Sequence, residues 1–230
     1  MTGARILAAA AAALLWTASA AAADLSGEAG VVSDYRYRGV SLSNGNPALQ
    51  ASVTLEHDSG LYATAWGSTL GHGTQTEVDF TGGYSKDLSK GFSLDVSSTY
   101  YSYPSQGSDN YFETTALATM TRGGAEASLG YSFVPGQRAT RDGNGRRHRN
   151  GYAFAKGSYE VAKLPLTLNA SAGYERGWFD EVEHGGKLDW TVGADLKLKP
   201  VRIGLAYVGS NADATAHDRH VVVGSLFLTW

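Results

Sequence analysis

The chain has 230 residues, 43% hydrophobic and 18% charged, with no cysteine and a formal net charge of −3, which sizes it for one domain or at most two small ones. The missing cysteines exclude disulfides, thiolate metal centres and a cysteine nucleophile, and the mild charge, without a basic patch interleaved with aromatics, argues against nucleic acid as a partner. Its 29 glycines are nearly twice the ordinary share of about 7%, and with 13 tyrosines they point to strands and tight turns.

In chain order, residues 1–5 form a short basic start, 6–16 an apolar run rich in Ala and Leu, and 17–23 a stretch of small residues. This is the layout of a secretory signal peptide; the apolar run is too short for a spanning helix. Cleavage after Ala23 or Ala20 fits, and the expected organisation is a signal peptide at 1–23 followed by one domain at 24–230. Removing the signal takes Arg5 with it and leaves 18 basic against 22 acidic residues.

Beyond residue 24 the apolar pattern has period two. Leu49, Ala51, Val53 and Leu55 alternate with Gln50, Ser52, Thr54 and Glu56, and Leu188, Trp190, Val192, Ala194, Leu196 and Leu198 alternate with Asp189, Thr191, Gly193, Asp195, Lys197 and Lys199. Segments of this kind fall at 26–38, 49–57, 61–70, 76–86, 92–103, 111–121, 125–134, 152–161, 166–176, 188–199, 201–208 and 220–230. Most have the roughly 9–11 residues that a tilted strand needs to cross a bilayer. The connections alternate between short turns, such as Asp58-Ser59-Gly60 and Arg122-Gly123-Gly124, and mostly longer loops, such as 39–48, 135–151, 177–187 and 209–219. Short turns at one end and long loops at the other predict a transmembrane antiparallel β-barrel of twelve strands, all-β, with both termini on the periplasmic side of a bacterial outer membrane.

Strand direction supplies a second test. With odd strands running outward, Tyr35, Tyr37, Tyr100, Phe112, Tyr131, Phe133, Tyr174, Trp190 and Tyr207 fall at the outer-leaflet end of the lipid face. Tyr84, Phe92, Tyr159 and Trp230 fall at the other end, giving the two aromatic girdles expected at membrane interfaces. The segment 61–70 is ambiguous, because Leu61/Ala63/Ala65 and Tyr62/Trp66/Leu70 both read as lipid faces. A secreted β-sandwich also alternates, but it does not require aromatics sorted by strand direction. The last segment ends on Trp230, resembling the terminal signal read by the barrel-assembly machinery of Gram-negative bacteria.

If the apolar set faces lipid, the alternate set lines the lumen. Its acidic members are Glu28, Asp34, Glu56, Glu77, Asp79, Asp95, Glu113, Glu126, Glu160, Glu175, Asp189 and Asp195, and its basic members are Arg36, Arg38, Lys156, Lys197, Lys199 and Arg202. Two readings stand: a charge filter with a mild cation preference, or ion pairs that only tie the wall together. Among these, Arg36, Arg38, Glu77, Asp79, Glu113, Lys156 and Glu175 are the expected pore-lining selectivity residues. Tyr101, Tyr103, Tyr152 and Phe154 are inward aromatics near the mouth. The 135–151 loop carries Arg138, Arg141, Arg146, Arg147, His148 and Arg149 against one acid, Asp142, which reads either as a solvated loop or as a contact for anions or lipopolysaccharide phosphate.

Catalytic signals are thin. His217 and His220 form an H-x-x-H, but in a loop entering a strand rather than on a helix face, and neither G-x-S-x-G nor a P-loop occurs. No enzyme, cofactor or metal is expected.

Ser33-Asp34-Tyr35-Arg36-Tyr37-Arg38-Gly39, then Ser41, Ser43, Pro47, Ala48 and Gln50, resemble the TorF-type porin family of Gram-negative bacteria. The likeness continues through His57-Asp58-Ser59-Gly60, Tyr62, Trp66, Ser68, Glu77-Val78-Asp79-Phe80, Gly83-Tyr84 and Tyr100-Tyr101-Ser102-Tyr103-Pro104. It implies an outer-membrane barrel acting as a porin and supplies no substrate; the arginine-rich loop and Trp230 lie outside it. The expectation is a channel for small hydrophilic solutes in contact with outer-membrane lipid and lipopolysaccharide. The alternative is a closed structural or adhesive barrel working through its loops.

Overall fold

A computed structural model describes residues 23–71, 75–105, 109–212 and 220–230. Of the expected signal peptide, residues 1–22 lie outside the described residues, and Ala23 opens the first strand. Its strands are β1 (Ala23–Val32), β2 (Arg36–Tyr37), β3 (Val40–Ser41), β4 (Ala48–His57), β5 (Leu61–Leu70), β6 (Gln75–Ser89), β7 (Phe92–Ser102), β8 (Tyr111–Arg122), β9 (Ala125–Val134), β10 (Asn150–Glu160), β11 (Leu166–Gly177), β12 (Lys187–Leu198), β13 (Val201–Ser210) and β14 (His220–Thr229), with no helix among the described residues.

All but β2 and β3 form one closed antiparallel barrel of twelve strands, each bonded to its sequence neighbours and closed by β1 against β14. Closure leaves no unpaired strand edge, the condition for a sheet to sit in hydrocarbon, where unpaired amides find no partner. Short turns end the strands on one rim. At 58–60, for example, Gly60 takes a φ of +91°, open to glycine without strain, and donates its amide to His57 O at 2.8 Å.

The period-two reading of the wall holds. Leu49, Leu129, Val192 and Leu205 are all at least 60% exposed on the outer surface, in a belt of large apolar residues that water would not tolerate and lipid would solvate. Tyr131, Phe133, Tyr174 and Tyr207 stand on this face near the long-loop end, and Tyr84, Tyr159 and Trp230 near the short-turn end. The ambiguous β5 is settled by its neighbours: Tyr62, Trp66 and Leu70 point inward, Tyr62 reaching Asp95 and Trp66 lying 5.3 Å from Tyr35, while Leu61 and Ala63 face outward.

Several inward rings lie flat on the wall over a glycine of the adjacent strand. A Cβ at Gly30 would meet Phe227, one at Gly173 would meet Tyr152, and one at Gly130 would meet Phe154. The excess of glycine thus has a packing cause as well as a turn cause.

One expected segment is corrected. The first strand does not run to residue 38 but stops at Val32, and Tyr35 and Tyr37 do not face lipid. Residues 33–47 leave the wall and fold into the lumen as an arm carrying the small β2–β3 hairpin. The cause is local side-chain bonding. Asp34 Oδ1 accepts from Ser41 Oγ at 2.5 Å, Tyr35 N donates to Ser43 Oγ at 2.8 Å, and Leu42 N bonds Tyr35 O. These bonds offer the backbone a closed turn in place of the ladder, and Arg38, Gly39, Asn44 and Gly45 take positive φ to make it.

Candidate functional site

The arm brings a dense polar network into the long-loop half of the lumen. Arg38 spans it: Nη2 donates to Glu113 Oε1 and Oε2 at 2.6 and 2.7 Å, and Nη1 donates to Glu175 Oε1 at 2.5 Å. Glu113 lies on β8 and Glu175 on β11, so one guanidinium ties two separate staves through the arm. The guanidinium lies against two rings, 4.0 Å from the Tyr152 centroid and 4.7 Å from that of Tyr37.

Neighbouring groups complete the pairing. Glu175, only 1% exposed, also accepts from Asn150 Nδ2 at 2.8 Å and has Lys187 Nζ 2.7 Å from Oε2. The Tyr37 hydroxyl lies 2.9 Å from that of Tyr101 and donates to Glu113 Oε1 at 3.3 Å. Tyr152 donates to Asp189 Oδ1 at 3.1 Å.

A second cluster sits beside it around β6. Glu77, 1% exposed, accepts from Tyr35 at 2.9 Å and Tyr103 at 2.7 Å, while Asp79 lies two residues on along the same inward face. Among the described residues Asp79 Oδ1 and Asp189 Oδ2 have no hydrogen-bond partner. The arm's base is apolar: Tyr35 lies in a cluster with Val32, Ala48, Leu70 and Phe227.

The seven expected pore residues separate into four sets. Arg38, Glu113 and Glu175 meet directly, and Glu77 and Asp79 form the adjacent carboxylate pair. Arg36 belongs to the arm's own fold, donating to Asp34 Oδ2 at 2.7 Å and Gly39 O at 2.7 Å. Lys156 stands apart, toward the middle of β10 and flanked by Ser128 and Ser171. It is exposed and makes no ion pair among the described residues.

Asn150 and Lys187 join the network although the sequence pattern assigns both to loops. Extending the parity of Tyr152 and Asp189 back by two residues would have placed both inward. Tyr35 and Tyr37 were misplaced because their alternation continues that of β1 in sequence while the backbone turns away.

The short-turn half is lined differently. Thr54 meets Thr64 and Thr119 meets Ser128 through hydroxyl pairs, both at 2.9 Å. Arg202 donates to Glu28 Oε2 at 2.5 Å and lies over Phe227, beside a cavity of about 300 Å³ that also touches Asn169 and Asp195. Among the described residues no three His, Cys, Asp or Glu side chains are grouped to hold a metal ion. Of the H-x-x-H, His217 lies outside the described residues, and His220 has its ring 5.5 Å from Trp190 and 6.2 Å from Tyr207.

No curated protein sequence matches the chain. Among solved structures, a KdgM porin superposes with a TM-score of 0.60 at 9% identity, covering 90% of this chain and 98% of that one. A NanC porin gives 0.61 at 10% identity with the same coverage, and LpxR from Salmonella typhimurium gives 0.50 at 8%, covering 89% and 99%. At such identities the likeness is one of fold. Residues 17–226 match the family described as a bacterial protein of unknown function (Gcw_chp), and the chain belongs to that family.

Proposed function

We propose that the protein is an integral outer-membrane channel of the porin kind, passing small hydrophilic solutes or ions by diffusion through a lumen narrowed by the arm. The carrying observation is the contrast within the lumen. The short-turn half is lined by Ser, Thr and exposed charges, Lys156, Glu56 and Glu126 among them, whereas the long-loop half is crossed by Arg38. The porin folds of KdgM and NanC and the TorF-type resemblance of residues 31–104 support this reading. No catalytic step and no cofactor belong to it.

In this reading the signal peptide is removed, both termini are periplasmic, Trp230 is read by the assembly machinery, and the long loops face outward. The constriction carries Arg36, Arg38 and Lys187 against Asp34, Glu77, Asp79, Glu113, Glu175 and Asp189, an acidic excess that favours cations mildly. Lys156, unpaired below it, opposes that preference.

One observation favours a second reading, a closed structural barrel: the Arg38 side chain is only 7% exposed and is bonded to both sides. Single-channel conductance of refolded protein in a planar bilayer under a potassium chloride gradient separates the two. Stepwise openings with a cation-selective reversal potential are expected of the channel. Silence from protein shown to be folded overturns it in favour of the closed barrel.

A further inference from the structure

The loop at residues 135–149, between β9 and β10, is an ordered hairpin. Thr140, fully buried, donates through Oγ1 to His148 O at 2.7 Å and accepts the amide of Gln137 at 2.9 Å. The loop's single acid is spent on its own turn. Asp142 Oδ1 accepts the amides of Asn144 and Arg146, both at 2.9 Å, and Oδ2 lies 2.9 Å from His148 Nε2. The His148 ring stacks on Trp178 of the next long loop, 5.2 Å between centroids.

What remains is a set of exposed arginines, Arg138, Arg141, Arg146, Arg147 and Arg149, none in an ion pair among the described residues. Their place relative to the wall is set by Gln137, whose side-chain amide accepts from Phe112 N at 2.9 Å and donates to Phe112 O at 2.7 Å. Phe112, Tyr131 and Phe133 on these staves are outward-facing aromatics of the apolar belt. The hairpin therefore rises directly from the aromatic ring that marks the interface.

Arg176 adds a cation on the lipid side of the wall. On β11, Glu175 points into the lumen while Tyr174 and Arg176 point out, Arg176 paired in register with Gly151 at the foot of the loop. An exposed guanidinium on the lipid side, one step beyond the belt tyrosine, stands at headgroup depth, where a solute entering the lumen would not meet it. The neighbouring 177–186 loop brings Asp180, Glu181 and Glu183, and Asp180 accepts the Gly177 amide. Six arginines against these three acids and Asp142 still leave the patch cationic.

We propose that Arg176 and the arginines of the 135–149 hairpin form a binding site for the phosphates of outer-leaflet lipid headgroups. The occupant is a phosphorylated glycolipid, held by charge-assisted and bidentate contacts at the phosphate while the belt rings meet its acyl chains. The inference rests on the outer-membrane reading above, with the long loops facing outward.

The test uses the refolded full chain in phosphatidylcholine nanodiscs doped with diphosphoryl lipid A or its dephosphorylated form, bound lipid being counted by native mass spectrometry. Retention of the diphosphoryl form by roughly tenfold over the dephosphorylated form is expected, falling to parity when Arg138, Arg141, Arg146, Arg147, Arg149 and Arg176 are all changed to Gln. Arg122→Gln, at the opposite rim, should keep the preference. A folded, inserted barrel with no preference overturns the site and leaves the channel reading standing. So does full displacement by millimolar inorganic phosphate, which would make it a site for soluble anions. Failure of the chain to insert into lipid at all overturns both.

Discussion

The arm at residues 33–47 and the loop at residues 135–149 both bring arginines to the long-loop end of the barrel, yet the two settings differ throughout. Arg38 is desolvated, flanked by two rings and bonded to two carboxylates on different staves. The loop arginines are exposed, and their one acid is occupied with turn amides and a histidine. Burying a guanidinium costs several kcal/mol unless carboxylates answer it, so the lumen arginine is matched on every side, while water leaves the loop arginines unmatched at little cost. Charge in the arm's network is therefore part of the architecture, and charge on the rim is left to solvent.

The hardest blow to that distinction is Arg38→Met. It leaves Glu113 without its cation and unties the arm, and a loss of about 3–5 kcal/mol is expected for a broken buried pair. It would be read as a lower temperature for loss of the compact barrel band on gels, with conductance rising as the arm loosens. Arg147→Gln should change stability by less than about 0.5 kcal/mol; equal effects from the two would erase the comparison.

A double-mutant cycle of Arg38→Met with Glu113→Gln sharpens it, because groups in direct contact couple by about 1–3 kcal/mol. Coupling near zero would mean that Tyr37, Tyr101 and Lys187 hold the network without the guanidinium.

Next comes Gly173→Val. The Tyr152 ring lies where the new side chain must go, so the ring should move toward Arg38 at a cost of about 1–3 kcal/mol for overpacking, with a smaller conductance. Unchanged conductance would show that the ring does not bound the pore.

Lys156→Glu, which removes no observed contact, should shift the reversal potential toward cations with stability unchanged within about 0.5 kcal/mol. An unmoved potential would take Lys156 out of the conduction path.

The mildest effect concerns the loop. The contact with His148, then the amides of Arg146 and Asn144, hold the Asp142 carboxyl below its usual range. A depressed carboxyl contributes its full share above the ordinary aspartate value and loses it as pH falls through the lowered one. Amide protection at Asn144 and Arg146 should therefore survive at pH 5 and fade only below about pH 4. Fading already between pH 7 and 5 would put the control of the loop elsewhere.

The wall is largely legible in the sequence. Alternation at Leu49–Leu55 and Leu188–Leu198 marks one face for lipid, and a barrel in a bilayer has only two environments, so parity alone sorts the side chains. The girdle residues Tyr131, Tyr174 and Trp230 followed from strand direction. The candidate site was legible only in part. Parity marks Glu77, Asp79, Glu113 and Glu175 as inward, but it sets Arg38, which joins two of them, on the wall rather than across it.

The number of barrel strands and the sorting of their side chains between two faces are written in the chain itself, because period-two hydrophobicity is a local signal and the lipid boundary enforces it everywhere. The departure of residues 33–47 from the wall and the bridge that Arg38 makes between β8 and β11 come from tertiary contacts alone. These depend on hydrogen bonds and ion pairs between residues as far apart as Arg38 and Glu175, which no spacing along the chain encodes.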